Sequence, residues 1–253
     1  METLSVVIAT YNEEKNITDL IKSVKDIADE IIVVDGSSQD KTADLARELG
    51  AKVIVTNNPS IFHINKQKAI DNATKDWVLQ LDADERVDKA LKDEIIDILK
   101  KNDSSINGYW IPRKNFFLGR YLMKGGQYPD YTIRLYRRGK GHLPQKSVHE
   151  QATVEGKVGY LTHPLIHFAD PSFKRYLIRY NRYTNLMADE LRSLKNKNKL
   201  SESIKYLFIS PVWWFVMSYI RHKGFMDSWQ GFVFSFFSSM RFPVSYIKYL
   251  VRK

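Results

Sequence analysis

The sequence predicts an α/β protein: a mostly parallel, doubly wound sheet, then an antiparallel extension, then a helical tail. Three observations carry this. The first hundred residues alternate short β-branched runs with helical periodicity, the signature of repeated βα units and a parallel sheet. From 107 to 168 the runs shorten and are separated by turn residues. After Pro171 the charge balance changes sharply: residues 1–170 carry 24 Lys/Arg against 25 Asp/Glu, and residues 171–253 carry 15 against 4. Two regions follow, 1–170 as the α/β part with its extension and 171–253 as a basic, hydrophobic tail.

The elements follow in chain order. "SVVIAT" (5–10) is a strand, and Ile17, Leu20, Ile21 and Val24 then recur at helical spacing. "EIIVVDG" (30–36) is a second strand; Ser37, Ser38 and Asp40 are cap candidates for a helix that Gly50 stops. "AKVIVTN" is a third strand, 62–73 a helix and "WVLQL" (77–81) a fourth strand, and Asp88 caps "KALKDEIIDILKK". "GYWIPR", "YTIRLYRRG", "QATVEGK" and "PLIHF" supply the extension. A basic helix begins at Phe173, with Tyr176, Tyr180, Tyr183 and Leu186 on one face.

Composition narrows the function. Hydrophobic residues make up 43% and aromatics 13%, values of a folded chain. No cysteine is present, which removes disulfide and thiolate chemistry. The start, "METLSVVIATYNEE", runs into a strand without a basic leader, so no signal peptide is expected. The net charge of +10 asks for an anionic partner. In the tail, "SPVWWFVMSYI" and "SWQGFVFSFFSSM" are uncharged, flanked by Arg221, Lys223, Arg241 and Lys248. Each is short of the ~20 residues of a spanning helix. They are expected to lie on or dip into an anionic membrane surface; the alternative is packing on the 1–170 region or in a dimer, so oligomeric state stays open.

Ligands of doubly wound sheets bind beyond the carboxyl ends of the strands. Thr10-Tyr11-Asn12-Glu13, Asp35-Gly36-Ser37-Ser38 and Asp82-Ala83-Asp84 would meet on that rim. Neither a dinucleotide fingerprint nor a P-loop is present. Strand alternation puts Asp82 and Asp84 on one side with Ala83 away. Paired carboxylates suit a hard divalent cation, Mg²⁺ or Mn²⁺. Glu85 is expected to point elsewhere and join the following helix start. His167, at a strand end, is a candidate for the metal shell; His163 reads as structural. Arg134, Arg137 and Arg138 read singly as solvated charge, with one face of their strand in reach of an anion.

"SVVIATYNEEKNI", "EIIVVDGSSQDKT" and "LQLDADE", in this order and spacing, resemble the inverting GT-A glycosyltransferases of family 2, most like bacterial lipopolysaccharide core glucosyltransferases. "DADERV", "RLYRRGKG" and "VHE" extend the likeness. The resemblance implies a Rossmann-like GT-A fold, a UDP-sugar donor, a divalent metal, and transfer of a hexose, with glucose the named candidate, to a lipid-linked glycan acceptor. It implies that Thr10, Tyr11 and Glu13 line the nucleoside pocket and that Asp35 bonds the uracil ring. Asp82 would sit near the ribose or sugar, and Asp84 would bind the metal. Lys66 and Gln67 stand where the family has an Arg-Asn pair, and Lys66 is taken as a donor contact. Inversion needs a base for the acceptor hydroxyl: Glu150 of "SVHE" is the first candidate and Asp130 the second.

The expected location is the cytoplasmic face of the bacterial inner membrane, held peripherally. A polyprenyl phosphate acceptor is the neighbouring reading. A basic membrane- or nucleic-acid-binding module is the non-enzymatic one, and the leading reading names no nucleic acid partner.

Overall fold

The computed structural model describes residues 1–59, 61–144, 151–193 and 199–251. Glu150 lies outside them. The strands are β1 (Leu4–Thr10), β2 (Glu30–Asp35), β3 (Lys52–Val55), β4 (Trp77–Asp82), β5 (Glu85–Arg86), β6 (Gly108–Phe117), β7 (Arg120–Tyr121), β8 (Asp130–Arg137), β9 (Gly141–His142), β10 (Thr153–Val154), β11 (Val158–Tyr160) and β12 (Leu165–Asp170). The helices are α1 (Glu14–Val24), α2 (Thr42–Glu48), α3 (His63–Asp71), α4 (Lys89–Lys101), α5 (Phe173–Ser193), α6 (Lys199–Ile204), α7 (Ser210–Phe215) and α8 (Ser228–Val251). Two compact units form: 1–113 with 131–167, and 114–130 with the chain from 168 on.

The first unit is a mixed α/β sheet in the order β3-β2-β1-β4-β8-β6-β12-β5. β3, β2, β1 and β4 are mutually parallel, as the βα repeats predict. The extension is not a separate hairpin layer. β8 pairs antiparallel with β4, Leu79 opposite Leu135, and so continues the main sheet. "QATVEGK" contributes only the two-residue β10, paired with β9.

Both faces of the sheet are covered. Leu4, Val6 and Ile8 point to one side, against Ile17, Leu20 and Ile21 of α1 and Leu91, Ile95 and Leu99 of α4. Val7, Ile32 and Val34 point to the other, against Ala69 and Ile70 of α3. The period-2 alternation of β1 and the 3.6-residue spacing of α1 therefore meet in one core. Gly50 stops α2 in the left-handed region, φ +91°. Of the cap candidates, Ser38 bonds Asp35 instead, whereas Asp40, two residues before α2, accepts the N–H of its first residue, Thr42, and also Glu14 N.

Asp88 caps α4 as expected, accepting Leu91 N at 2.9 Å. Asp88→Ala is expected to cost about 1 kcal/mol in urea unfolding; no measurable loss would show that water replaces the cap.

The second unit is mostly helical. Phe117, Leu122 and Tyr176 form its small core, with Phe234 and Phe237 of α8 against them. Lys248 Nζ ties α8 to α5, donating to Asn181 Oδ1, Thr184 Oγ1 and Asn185 Oδ1 at 2.5–2.8 Å. A Cβ on Gly231 would stand 1.9 Å from the Gly224 carbonyl oxygen, so only glycine fits where α8 crosses that turn. α6, a π-helical turn (Lys205–Ile209), α7 and a second π-helical turn (Val216–Arg221) follow one another before α8. Among the described residues, no helix is long and apolar enough to cross a membrane.

Candidate active site

The site is assembled by strand register. Thr10 lies opposite Asp35 and Ala9 opposite Asp82, so the last residues of β1, β2 and β4 stand in one row at the carboxyl edge. Sequence reasoning placed Thr10, Asp35 and Asp82 there, and the register does the same.

The left half of the row is a laced pair of loops. Buried Asp35 accepts Thr10 Oγ1 at 3.0 Å, Ser38 N at 2.8 Å and Ser38 Oγ at 2.5 Å. Asn12 (φ +55°) and Ser37 (φ +61°) adopt the left-handed conformation that lets both loops turn back. Asn12 N then donates to Ser38 Oγ, and Asn12 Oδ1 accepts Gln39 N, both at 2.8 Å. Glu13 N donates to Thr42 Oγ1, and Asn16 Nδ2 donates to Glu13 Oε2 at 2.7 Å. Tyr11 is exposed. These loops hold the expected nucleoside-pocket residues by hydrogen bonds rather than by packing. A carboxylate offers about four lone-pair sites, so Asp35 retains acceptor capacity beyond its three donors.

The right half is a charged knot that sequence reasoning read only in part. Asp82 Oδ2 accepts Arg134 Nη2 at 2.6 Å, and Asp82 Oδ1 pairs with Lys66 Nζ. Arg134 comes from β8, one step from the Leu79–Leu135 pair, which brings its guanidinium back over β4. Its fork also donates to Gln80 Oε1 at 2.7 Å and Glu85 Oε1 at 2.8 Å. Burial pushes the Asp82 carboxyl up, but Arg134 and Lys66 outweigh it and hold it well below the usual carboxylate range. Burial opposes the charge on Arg134 as well; Asp82 and Glu85 outweigh that, and its pKa is raised.

Two expectations are corrected here. Glu85 does not belong to the helix start. It is fully buried in β5, accepts Asp82 N at 2.9 Å, and faces Arg134 and, at 3.7 Å, Arg113. Its short strand pairs with β12, which the sequence pattern did not reveal. Arg134 is not solvated charge either, because β8 is an interior strand and two carboxylates neutralise it.

Asp84 follows a different course from Asp82. β4 ends at Asp82, so strand alternation does not carry through the turn at 83–84. Asp84 Oδ1 stands 3.6 Å from His167 Nε2, a residue β12 delivers by pairing His167 opposite Glu85. The turn is braced by Arg86, whose Nη1 donates to the Ala83 and Glu85 carbonyls, both at 2.7 Å. Among the described residues, no group of three His, Cys, Asp or Glu side chains is placed to hold a metal ion. The Asp84–His167 pair offers one carboxylate oxygen and one imidazole nitrogen, donor types that a divalent cation accepts, at 3.6 Å, about 0.6 Å wider than the ~3.0 Å between neighbouring donors of an octahedral shell.

The remaining candidates are placed as follows. Lys66 faces Asp82, whereas Gln67 turns away to accept Leu143 N at 2.7 Å. Arg137 bonds Glu2 and stacks on Trp77 at 4.6 Å, and Arg138 is exposed. Asp130 belongs to the second unit and accepts Asn115 Nδ2 at 3.1 Å.

Comparison with known proteins gives four findings. The family model described as "Glycosyl transferase family 2" matches residues 5–153. The lipopolysaccharide core biosynthesis glycosyltransferase LpsC of Rhizobium meliloti (strain 1021) is 30% identical over 252 residues, covering 94% of this chain and 91% of that protein. An uncharacterized glycosyltransferase of Rickettsia felis is 31% identical over 246 residues, covering 92% and 84%. Among solved structures, the mannosyltransferase PcManGT of Pyrobaculum calidifontis, in complex with GDP-Man and Mn²⁺, shares the fold: TM-score 0.59 at 12% identity, covering 100% of this chain and 88% of that one.

Proposed function

This chain is a glycosyltransferase of family 2, and from that premise we propose that it moves a hexose from a UDP-sugar, with a divalent cation, to a lipid-anchored glycan such as lipopolysaccharide core. The observation that carries the donor reading is the row of Thr10, Asp35 and Asp82 made by strand register, with Asp84 and His167 beyond it. The GDP-sugar and Mn²⁺ bound by PcManGT and the lipopolysaccharide role in the name LpsC support donor class and acceptor class respectively. The membership replaces the reading as a non-enzymatic binding module.

Asp84 and His167 are the residues that would hold the cation, Mg²⁺ or Mn²⁺. When bound, it offsets the negative charge of the departing diphosphate. Thr10, Tyr11, Glu13 and Asp35 orient the nucleoside, Asp35 accepting a hydrogen bond from the uracil ring. Asp82, fixed by Arg134, receives the ribose or sugar hydroxyls. Lys66, beside Asp82, adds positive charge near the diphosphate. The acceptor oxygen bonds to the anomeric carbon as the bond to the diphosphate oxygen breaks, which inverts that carbon. The hydroxyl proton goes to a carboxylate, Glu150 in the first place and Asp130 in the second. The enzyme works peripherally at the cytoplasmic face of the bacterial inner membrane.

The test is thermal unfolding with nucleotide and metal. A ligand that binds only the folded state at a hundred times its Kd adds about 2.7 kcal/mol, about 5–10 °C for a chain of this size. UDP with Mn²⁺ is expected to give such a rise, GDP less, and chelation is expected to remove it. No rise with UDP and Mn²⁺ would sink the donor assignment.

A further inference from the structure

Three aromatic side chains stand together at the antiparallel end of the first unit, outside the donor row. β11 runs parallel to β6 with Tyr160 opposite Trp110, so the two rings leave the sheet side by side. Their planes lie within 18° at 6.5 Å between centroids, an offset pair and not rings laid one over the other. Tyr131 of β8 meets Tyr160 edge to face, at 5.1 Å and 83°. Tyr160 is 63% exposed and Tyr131 38%, and Trp110 is half-buried. Trp110 Nε1, Tyr131 Oη and Tyr160 Oη have no hydrogen-bond partner among the described residues.

The fold aims this surface at the site. Trp110 packs on the apolar cluster that holds Ala69 and Ile70 of α3. α3 also supplies Lys66, which faces Asp82 on that side of the sheet. β8 runs antiparallel to β4, so its early residues, Tyr131 among them, come out at the edge where β4 ends in Asp82. The rings therefore share a sheet face with Lys66 and Asp82, and Tyr131 carries them to the same edge. Size and chemistry select the occupant. Aromatic side chains bury ~150–250 Å² each, so at these exposures the three leave roughly 300 Å² open. A second copy of the chain, or another protein, needs about 800 Å² a side. A pyranose ring fits better. One of its faces is a set of C–H groups that meets the negative face of an aromatic ring, and its rim of hydroxyls can bond an indole N–H or a phenol.

We propose that Trp110, Tyr131 and Tyr160 form an acceptor subsite, a platform on which a pyranose ring of the glycan acceptor stacks while the hydroxyl that is glycosylated reaches toward the donor row. The subsite rests on the reading of the acceptor as a glycan. It is defined independently of the donor residues, so its binding test needs neither nucleotide nor metal.

The probe is the core oligosaccharide released by mild acid from lipopolysaccharide, titrated into full-length protein. Saturating the protein's aromatic protons in an NMR experiment is expected to transfer magnetisation to the sugar C–H protons. Tyr160→Ala is expected to weaken binding about tenfold, and Y160F, which keeps the ring, to stay within about threefold of wild type. The unfolding temperature of Y160A is expected to match wild type, because the ring is exposed. In turnover, Y160A is expected to raise the KM for the oligosaccharide about tenfold with kcat and the donor KM held, the pattern of a contact made equally in ground and transition states. Equal affinity of Y131A/Y160A and wild type would overturn the proposal, as would a wild-type dimer that Y160A returns to monomer without any oligosaccharide binding. Transfer to the oligosaccharide at an unchanged KM in Y131A/Y160A would remove the subsite and leave the glycan acceptor standing. Transfer to a polyprenyl phosphate with no oligosaccharide binding would remove both.

Discussion

Asp84→Ala is expected to lower sugar transfer by about a thousandfold or more while leaving the unfolding temperature where it was. A thousandfold is about 4 kcal/mol of transition-state stabilisation, within reach of a group that positions charge against a leaving diphosphate. The fold should tolerate the change. Asp84 sits in the turn after β4, and the turn is held from elsewhere, by Arg86 on the Ala83 and Glu85 carbonyls. Its partner His167 gives the comparison. His167→Ala removes one neutral ligand and is expected to weaken metal affinity about ten- to a hundredfold, recoverable by raising Mn²⁺. A measured D84A turnover within tenfold of wild type would remove Asp84 from the reaction. Equal Mn²⁺ dependence of H167A and wild type would remove His167 from the shell.

The part of this site legible in the sequence is the part made by strand ends. Thr10, Asp35 and Asp82 each terminate a short, mostly apolar run, and the rule that ligands sit at those ends needs no knowledge of partners. The antiparallel half was not legible in the same way. That β8 would insert beside β4 depends on which edge of the parallel sheet is free, a long-range pairing that no local pattern encodes. Arg134 was visible only as one of three arginines, and its burial follows from that insertion. Glu85 was misread for a related reason: two residues of strand, Glu85–Arg86, are too short to show a period, and only pairing with β12 turns the carboxylate inward. Asp84 shows the limit of the alternation rule itself, which holds within β4 and stops with it. In the tail, helical character and the two uncharged aromatic runs with basic flanks were legible. The two π-helical turns and the Gly231 crossing were not, since both depend on contacts between distant turns.

Arg134→Met is expected to destabilise the protein by about 3 kcal/mol or more at neutral pH, the cost of leaving buried carboxylates unanswered. The side chain bridges Gln80, Asp82 and Glu85 at 2.6–2.8 Å, and Glu85 is fully buried. Lys66 still faces Asp82 in the variant, whereas Glu85 keeps the Asp82 N–H at 2.9 Å and the Arg113 guanidinium at 3.7 Å. The pH dependence separates this from simple loss of packing. In the wild type the Asp82 carboxyl is held far below its ordinary value of 3.8, despite burial, by Arg134 and Lys66. A carboxyl depressed on folding contributes stability above its unfolded pKa and loses it as pH falls through that value toward the folded one. Wild-type stability should therefore drop as pH falls below about 4. The R134M curve should drop less, because its Asp82 has lost the larger of its two cationic neighbours. The gap between the two proteins in urea unfolding should narrow from pH 7 to pH 3.5. Neutralising the carboxylates as well, in R134M/D82N/E85Q, should recover much of the loss, since removing all members of a buried charged cluster is far less costly than removing one. A gap below 1 kcal/mol at pH 7, or one that stays constant into acid, would show that Arg134 is packing rather than the counter-charge that fixes Asp82 at the rim.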